Sequence, residues 1–177
     1  MARFLLLVGI AVAAVLIIVL ALALTKPARF TIQRSIVIQA TPEKVFALIN
    51  DLHRWSGWSA GQNEDPKTTR SFSGAPAGKG AIAEWEGTGS TGKGRLEIIE
   101  SSSNLIRVQA DWARPFKARN INLFALEPQG NSTRVTWTLD GENVFMLKVM
   151  TVFVTHDRLM GSHFDQSLAA LKSTVEK

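Results

Sequence analysis

The hydrophobic pattern divides the chain near its start. From Phe4 to Leu24 no charged residue occurs. This run of about 21 residues, at about 1.5 Å each, is long enough to cross a hydrocarbon core of about 30 Å. It predicts a transmembrane helix, its Leu, Val, Ile and Phe residues each favouring insertion by about 0.3–0.6 kcal/mol. Beyond it the period changes. Phe30, Ile32, Ile36 and Ile38 alternate with polar positions, as a half-buried strand requires, and Arg34 interrupts their face. Thr41-Pro42-Glu43 supplies an N-cap, a first-turn proline and an acid at the positive helix end, which predicts a helix to about Asn50. Asp51 caps a second short helix through Trp55. Further strands are predicted over 68–72, 80–86, 92–101, 105–112, 118–126 and 133–140. In the last, Val135, Trp137 and Leu139 take one face and Arg134, Thr136 and Thr138 the other. Short turns between them imply an antiparallel meander. Phe164, Leu168, Leu171 and Val175 step along a terminal helix as one apolar stripe. Such a stripe packs on the concave face of a curved sheet, giving an α+β sandwich with space between helix and sheet.

The segment 144–154 is harder to place. Lys148 is its only charge, and Lys148, Thr151, Thr155 and Arg158 form one narrow polar stripe at helical spacing. A helix apolar on more than one side follows. It is either a lid or lipid-touching face presenting Phe145, Met146, Met150 and Phe153, or a fully buried helix.

The pattern thus divides the chain into an anchor (1–25), a linker (26–29) and one domain (30–177). The 177 residues leave no room for a second catalytic domain. The apolar run also fits a secretory signal peptide, with Arg3 as its basic start and Ala21-Leu22-Ala23 as a cleavage-like triplet, although it exceeds the usual roughly 7–15 residues of a signal core. Lys26, Arg29 and Arg34 after the span argue for a cytoplasmic domain, and Arg3 with the amino terminus argues for the opposite topology. The side of the membrane stays open. A linker this short holds the domain at the bilayer surface.

Charge fits that position. Without Arg3, the chain's +5 becomes about +4, which suits anionic headgroups at about 1 kcal/mol per basic residue near the surface. The pI of 9.9 also raises nucleic acid, but the basic residues are scattered and no recognition motif accompanies them. No nucleic-acid partner is expected.

Five Trp and nine Phe with no Tyr make the aromatic set almost wholly apolar. Trp55, Trp58, Trp85, Trp112, Trp137, Phe116 and Phe124 either line a ligand cavity or fill the core. For Trp137, the strand alternation favours the core. The candidate cavity residues are Trp58, Trp85, Trp112, Phe116, Phe124, Met146, Met150 and Phe153.

Catalytic parts are sparse. With no Cys there is no thiolate nucleophile, disulfide framework or Cys-based zinc site. Gly87-Thr88-Gly89-Ser90-Thr91-Gly92-Lys93 mimics a phosphate-binding loop, but Gly94 stands where Ser or Thr is required and a β-type run follows, so it reads as a hairpin turn. His156 and His163 lie a heptad apart, about 10 Å along a helix and too far for one metal ion, so His156, Asp157, His163 and Asp165 form no metal site. No metal and no cofactor is called for. Glu84, Glu86, Asp111 and Arg107 are the best polar candidates for the cavity, where a buried carboxylate with a raised pKa serves acid–base chemistry. Strand carboxylates more commonly face water.

In order and spacing, several segments together resemble the SRPBCC superfamily, and within it the bacterial polyketide cyclase/dehydrase-like or START-like proteins with an N-terminal membrane helix. They are Phe30-Thr31-Ile32 through Ala40-Thr41-Pro42-Glu43-Lys44-Val45-Phe46, Asp51 with Trp55, Trp58 and Ser59, Asp65-Pro66, Gly78-Lys79-Gly80 with Trp85, Gly92-Lys93-Gly94, Thr133-Arg134-Val135-Thr136-Trp137, and Phe164 with Leu168 and Leu171-Lys172. Many relatives read Trp-Ser-Pro-Trp where this chain has Trp58-Ser59-Ala60-Gly61, so one aromatic is missing. The resemblance implies a helix-grip (START/Bet v 1-like) fold, a curved antiparallel sheet around a long C-terminal helix, in a single-pass protein of the bacterial inner membrane. It implies a cavity for apolar molecules and no particular reaction, because the scaffold hosts carriers, cyclases, hydrolase-like members and chaperone regulators. Three readings remain. The first is a membrane-anchored binder of an apolar small molecule or lipid, the second an accessory or assembly subunit of an integral-membrane complex, and the third a cyclase- or hydrolase-like enzyme.

Overall fold

The computed structural model describes residues 1–60 and 67–177. Gly61, Asp65 and Pro66 of the resemblance lie outside them. The chain opens with helix α1 (Ala2–Thr25), exposed along nearly all its length and carrying no charged residue after Arg3. It is long and apolar enough to cross a bilayer.

Strand β1 (Arg29–Ile38) leads into α2 (Pro42–Ile49), which begins with its proline in the first turn and buries Val45 and Ile49. Asp51 then caps a short 3-10 helix (Leu52–Gly57) by accepting from the backbone N–H of His53 at 3.0 Å. The meander follows as β2 (Thr69–Gly74), β3 (Ala81–Glu86), β4 (Lys93–Ser102), β5 (Leu105–Arg114), β6 (Ala118–Gln129) and β7 (Ser132–Glu142). The described strands form one antiparallel seven-stranded sheet in the order β1-β7-β6-β5-β4-β3-β2, with β1 returning to pair with β7. In β7 the alternation holds to the letter of the sequence, Val135, Trp137 and Leu139 being buried. The phosphate-loop mimic is the β3–β4 hairpin, where the Gly87 N–H donates to the Gly92 carbonyl at 2.8 Å.

Two helices close the chain, α3 (Phe145–Met150) and α4 (His156–Val175). α4 grips β1 and buries Phe164, Leu168 and Leu171 against the sheet. Arg34, which interrupts the apolar face of β1, is answered from this helix: its Nη2 lies 2.5 Å from Asp157 and its Nε 3.0 Å from Asp165. The core lies between α2, α4 and the half of the sheet holding Ile38, Ile98, Val108, Phe124 and Leu126.

The expectation of one helix over 144–154 is corrected. α3 ends at Met150, and Thr155 starts a new helix by accepting from the Arg158 N–H at 3.1 Å. The polar stripe therefore spans two elements, with Thr151 buried and hydrogen-bonded to the Lys148 carbonyl at the break. Nor is the segment a buried helix, since Phe145, Met146, Met150 and Phe153 are all exposed.

Candidate functional site

The strand register puts one end of the sheet beside α1. Arg29 pairs with Glu142, Asn120 with Gly141, Trp112 with Ala118, and Lys93 with both Arg114 and Glu86. At this end, in contrast to the packed far half, sheet and helices stand apart around a cavity of about 550 Å³. Its walls are Trp85, Leu96, Ala110 and Trp112 from the sheet, Phe116 from the β5–β6 loop, and Leu147, Leu159, Met160 and Phe164 from the helices.

Trp85 and Trp112 meet edge to face at 5.0 Å between ring centroids. The Trp85 Nε1–H donates to the Thr91 carbonyl at 3.0 Å, which fixes the ring across β4. Gly94 makes room for it, because a Cβ there would come within 2.4 Å of the indole. Trp55 and Trp137 form the inner wall, and both have satisfied N–H groups, Trp55 to the Ile49 carbonyl at 2.8 Å and Trp137 to Asn122 Oδ1 at 3.0 Å.

Of the cavity residues expected from the sequence, Trp85, Trp112 and Phe116 line this space. Trp58 and Phe124 are corrected to core residues, packed edge to face at 6.1 Å behind the Trp55 and Trp137 rings that face the cavity. Met146, Met150 and Phe153 are corrected as well. They point outward, and α3 instead contributes Leu147 to the wall. Ser59 lines the space, and the position of the missing aromatic, Gly61, lies outside the described residues.

The expected polar candidates lie elsewhere. Along β3 the inward positions are Ala81, Ala83 and Trp85, and along β5 they are Ile106, Val108, Ala110 and Trp112, so Glu84, Glu86, Arg107 and Asp111 all take the opposite face. Arg107 pairs with Glu100 at 3.1 Å. Hydrogen bonding to Lys93, and that cation's charge, hold the Glu86 carboxyl below the usual carboxylate range. Burial pushes the Asp111 carboxyl up, but hydrogen bonds from Arg119 (2.6 Å) and Gln109 (2.7 Å) outweigh it and the net shift is downward. The expectation of a raised carboxylate pKa is thus reversed at Glu86 and Asp111, because their hydrogen-bonding and charged partners outweigh burial.

The polar groups in the wall are others, among them Arg70 on β2, Asn120 and Asn122 on β6, Glu142 at the end of β7 and His163 on α4. Asn120 and Asn122 were readable, since they alternate with Ile121 and Leu123 on the face that carries Phe124. Glu142 Oε2 accepts from the Arg119 backbone N–H at 3.0 Å. His156 stays outside the lining. It stacks on Phe30 at 4.1 Å, and its Nε2 lies 3.2 Å from Asn143 Oδ1. Burial, reinforced by the charge of Lys26, pushes its pKa down. Among the described residues, no group of three metal-ligating side chains converges.

Residues 29–176, which hold both the sheet and its terminal helix, match a family described as polyketide cyclase/dehydrase and lipid transport. The chain belongs to this family. It is a START-like domain of the ligand-binding kind, and family membership implies a hydrophobic ligand. No curated protein matches the sequence. Among solved structures, a protein from Chromobacterium violaceum is 18% identical with a TM-score of 0.60, covering 83% of this chain and 97% of its own. The Aha1 dimer from Colwellia psychrerythraea is also 18% identical, with a TM-score of 0.54 and coverage of 83% and 96%. Norcoclaurine synthase from Thalictrum flavum, solved in complex with dopamine and hydroxybenzaldehyde, is 10% identical with a TM-score of 0.61 and coverage of 88% and 90%. At these identities the likeness shows the helix-grip fold alone.

Proposed function

We propose that this protein is a membrane-anchored START-like domain that holds an apolar or lipid-like ligand between its sheet and its C-terminal helix. The observation that carries the reading is the placement of the cavity, about 550 Å³ of mainly aromatic and aliphatic lining at the end of the sheet from which α1 emerges. An apolar cavity of that size suits a small hydrophobic molecule or part of a lipid chain, with a few polar groups to orient it. Asn120, Asn122, Glu142, Arg70 and His163 are among those groups here, and they favour an amphipathic ligand over a plain hydrocarbon. The reading takes α1 as an anchor in the bacterial inner membrane. Binding is favoured over catalysis because Glu84, Glu86 and Asp111 all face away from the cavity, with the Glu86 and Asp111 carboxyls held below the usual carboxylate range by their cationic and hydrogen-bonding partners.

Native mass spectrometry of the full chain, extracted gently from its own membrane, tests this. A reproducible bound mass in the lipid range that survives washing is the expected result. A ligand-free protein carrying stoichiometric protein partners would favour an accessory subunit instead.

A further inference from the structure

Helix α1 is not bare along its whole length. Val19 is half-buried, Ala23 fully buried and Lys26 half-buried, an i, i+4, i+7 face near its C-terminal end, and α3 is the element packed against α1. Asn143, just before α3, fixes this junction. Its N–H donates to the Ala28 carbonyl and its Nδ2 to the Pro27 carbonyl, each at 2.9 Å.

The depth of that contact has a consequence. A helix of 24 residues is about 36 Å long, only about 6 Å more than the hydrocarbon core. Val19 lies six residues, about 9 Å, before Thr25. If α1 spans the bilayer, the part of it that α3 covers is already within the lipid. α3 and the turn after it expose Phe145, Met146, Met150 and Phe153, the last at 71%. Across the cavity mouth, the β5–β6 loop exposes Phe116 between Arg114 and Lys117. Leu147 and Phe116 both line the cavity, so the two apolar rims frame its opening.

We infer that residues 145–153 and the Phe116 loop form a second membrane contact, seated at the headgroup–acyl boundary of the leaflet from which α1 emerges. The cavity then opens into lipid, and a ligand enters it without crossing water. The occupant of this apolar surface is the bilayer itself, because the surface continues the flank of α1. Lys26, Arg29 and Lys117 at this end stand where anionic headgroups lie, whereas Arg114 is paired with Glu86 at 2.6 Å. An interfacial segment of this kind buries its apolar side chains about 5–10 Å into the boundary. The inference rests on the reading of α1 as an anchor.

The chain has no Cys, so single labelling sites can be introduced without background. Met146→Cys, Phe153→Cys, Ile10→Cys and Ser103→Cys, each carrying an environment-sensitive fluorophore, are to be reconstituted as full chains in phosphatidylcholine/phosphatidylglycerol vesicles. All four sites are exposed, so the labels disturb no core. Quenching by iodide is then compared with quenching by nitroxide-bearing lipid. The expected result is lipid quenching at 10, 146 and 153 with a several-fold loss of iodide access relative to 103. Iodide access at 146 and 153 equal to that at 103, with 10 still in lipid, overturns the inference and leaves the anchor standing. Iodide access at 10 as well overturns both. Shielding of 146 and 153 from both quenchers means that a second copy covers the surface, which also overturns it.

Discussion

The guanidinium of Arg34 lies against Gly161, where a Cβ would come within 2.5 Å of Nη2. The absent side chain on α4 is what lets Arg34 pass under the helix and reach both Asp157 and Asp165. Their charges and hydrogen bonds raise its pKa further above its ordinary value. Mid-helix glycine costs about 1 kcal/mol relative to alanine, so this room is held against helix propensity. Gly161→Ala is therefore expected to stabilise the protein by about that amount when Arg34 is replaced by Met, and by clearly less with Arg34 in place. Thermal unfolding of the four proteins of the cycle measures the difference. Equal gains in both backgrounds would show that the contact carries no energetic weight.

How far such relationships are legible depends on their range. Periodicity marks inward and outward faces, so Val135, Trp137 and Leu139 in β7 and Phe164, Leu168 and Leu171 in α4 were placed correctly from spacing alone. Distance from the core is not periodic. Trp58 and Trp85 look alike in the sequence, yet the first is sealed behind Trp55 and Trp137 while the second faces open space, because α4 closes on one half of the sheet only. Arg34 looked like a defect in β1 because its partners lie more than a hundred residues away. The signal for the helix break was local and was missed. Thr155 with Asp157 two residues on is a helix start, and a polar stripe that ignores it joins two elements.

Two neighbours on the inner face of β5 separate cavity from core. Ala110 lines the open space and Val108 is fully buried in packed side chains. Ala110→Phe is expected to fill the cavity and abolish retention of a bound ligand while leaving the unfolding midpoint nearly unchanged. Val108→Phe is expected to cost about 1–3 kcal/mol, the usual penalty for overpacking. Denaturant unfolding together with native mass spectrometry checks the pair. Equal destabilisation by both would mean that the space beside Ala110 is not there in solution.

Gly94 gives a second test of the cavity wall. A Cβ there would meet the Trp85 ring at 2.4 Å and the Asp111 backbone carbonyl at 2.8 Å. The ring can yield by breaking its bond to Thr91, but the carbonyl belongs to a paired strand and cannot. Gly94→Ala is expected to lower stability by about 1–3 kcal/mol and to shift Trp85 toward the cavity. Trp emission compared with that of Trp85→Phe in the same background reports the ring movement. An unchanged spectrum and midpoint would contradict the packing described.

His156 ties pH to the junction between α1 and the domain. It is stacked on Phe30 and placed beside Asn143, whose amide holds Pro27, and burial with the charge of Lys26 lowers its pKa in the folded protein. Above about pH 6.5, the ordinary histidine value, folded and unfolded chains both hold it neutral, and it adds nothing to the pH dependence. As the pH falls below that, the unfolded chain takes up a proton that the folded chain refuses. Stability then declines until the pH passes the lowered folded value, below which the loss is complete. Replacing His156 by Phe keeps a ring on Phe30 and removes the titration. The His156→Phe protein is therefore expected to lose less melting temperature than the parent between about pH 7 and 5. His53 and His163 remain in both proteins, so the difference between the two curves belongs to His156. Parallel curves would remove His156 from the acid response of the junction.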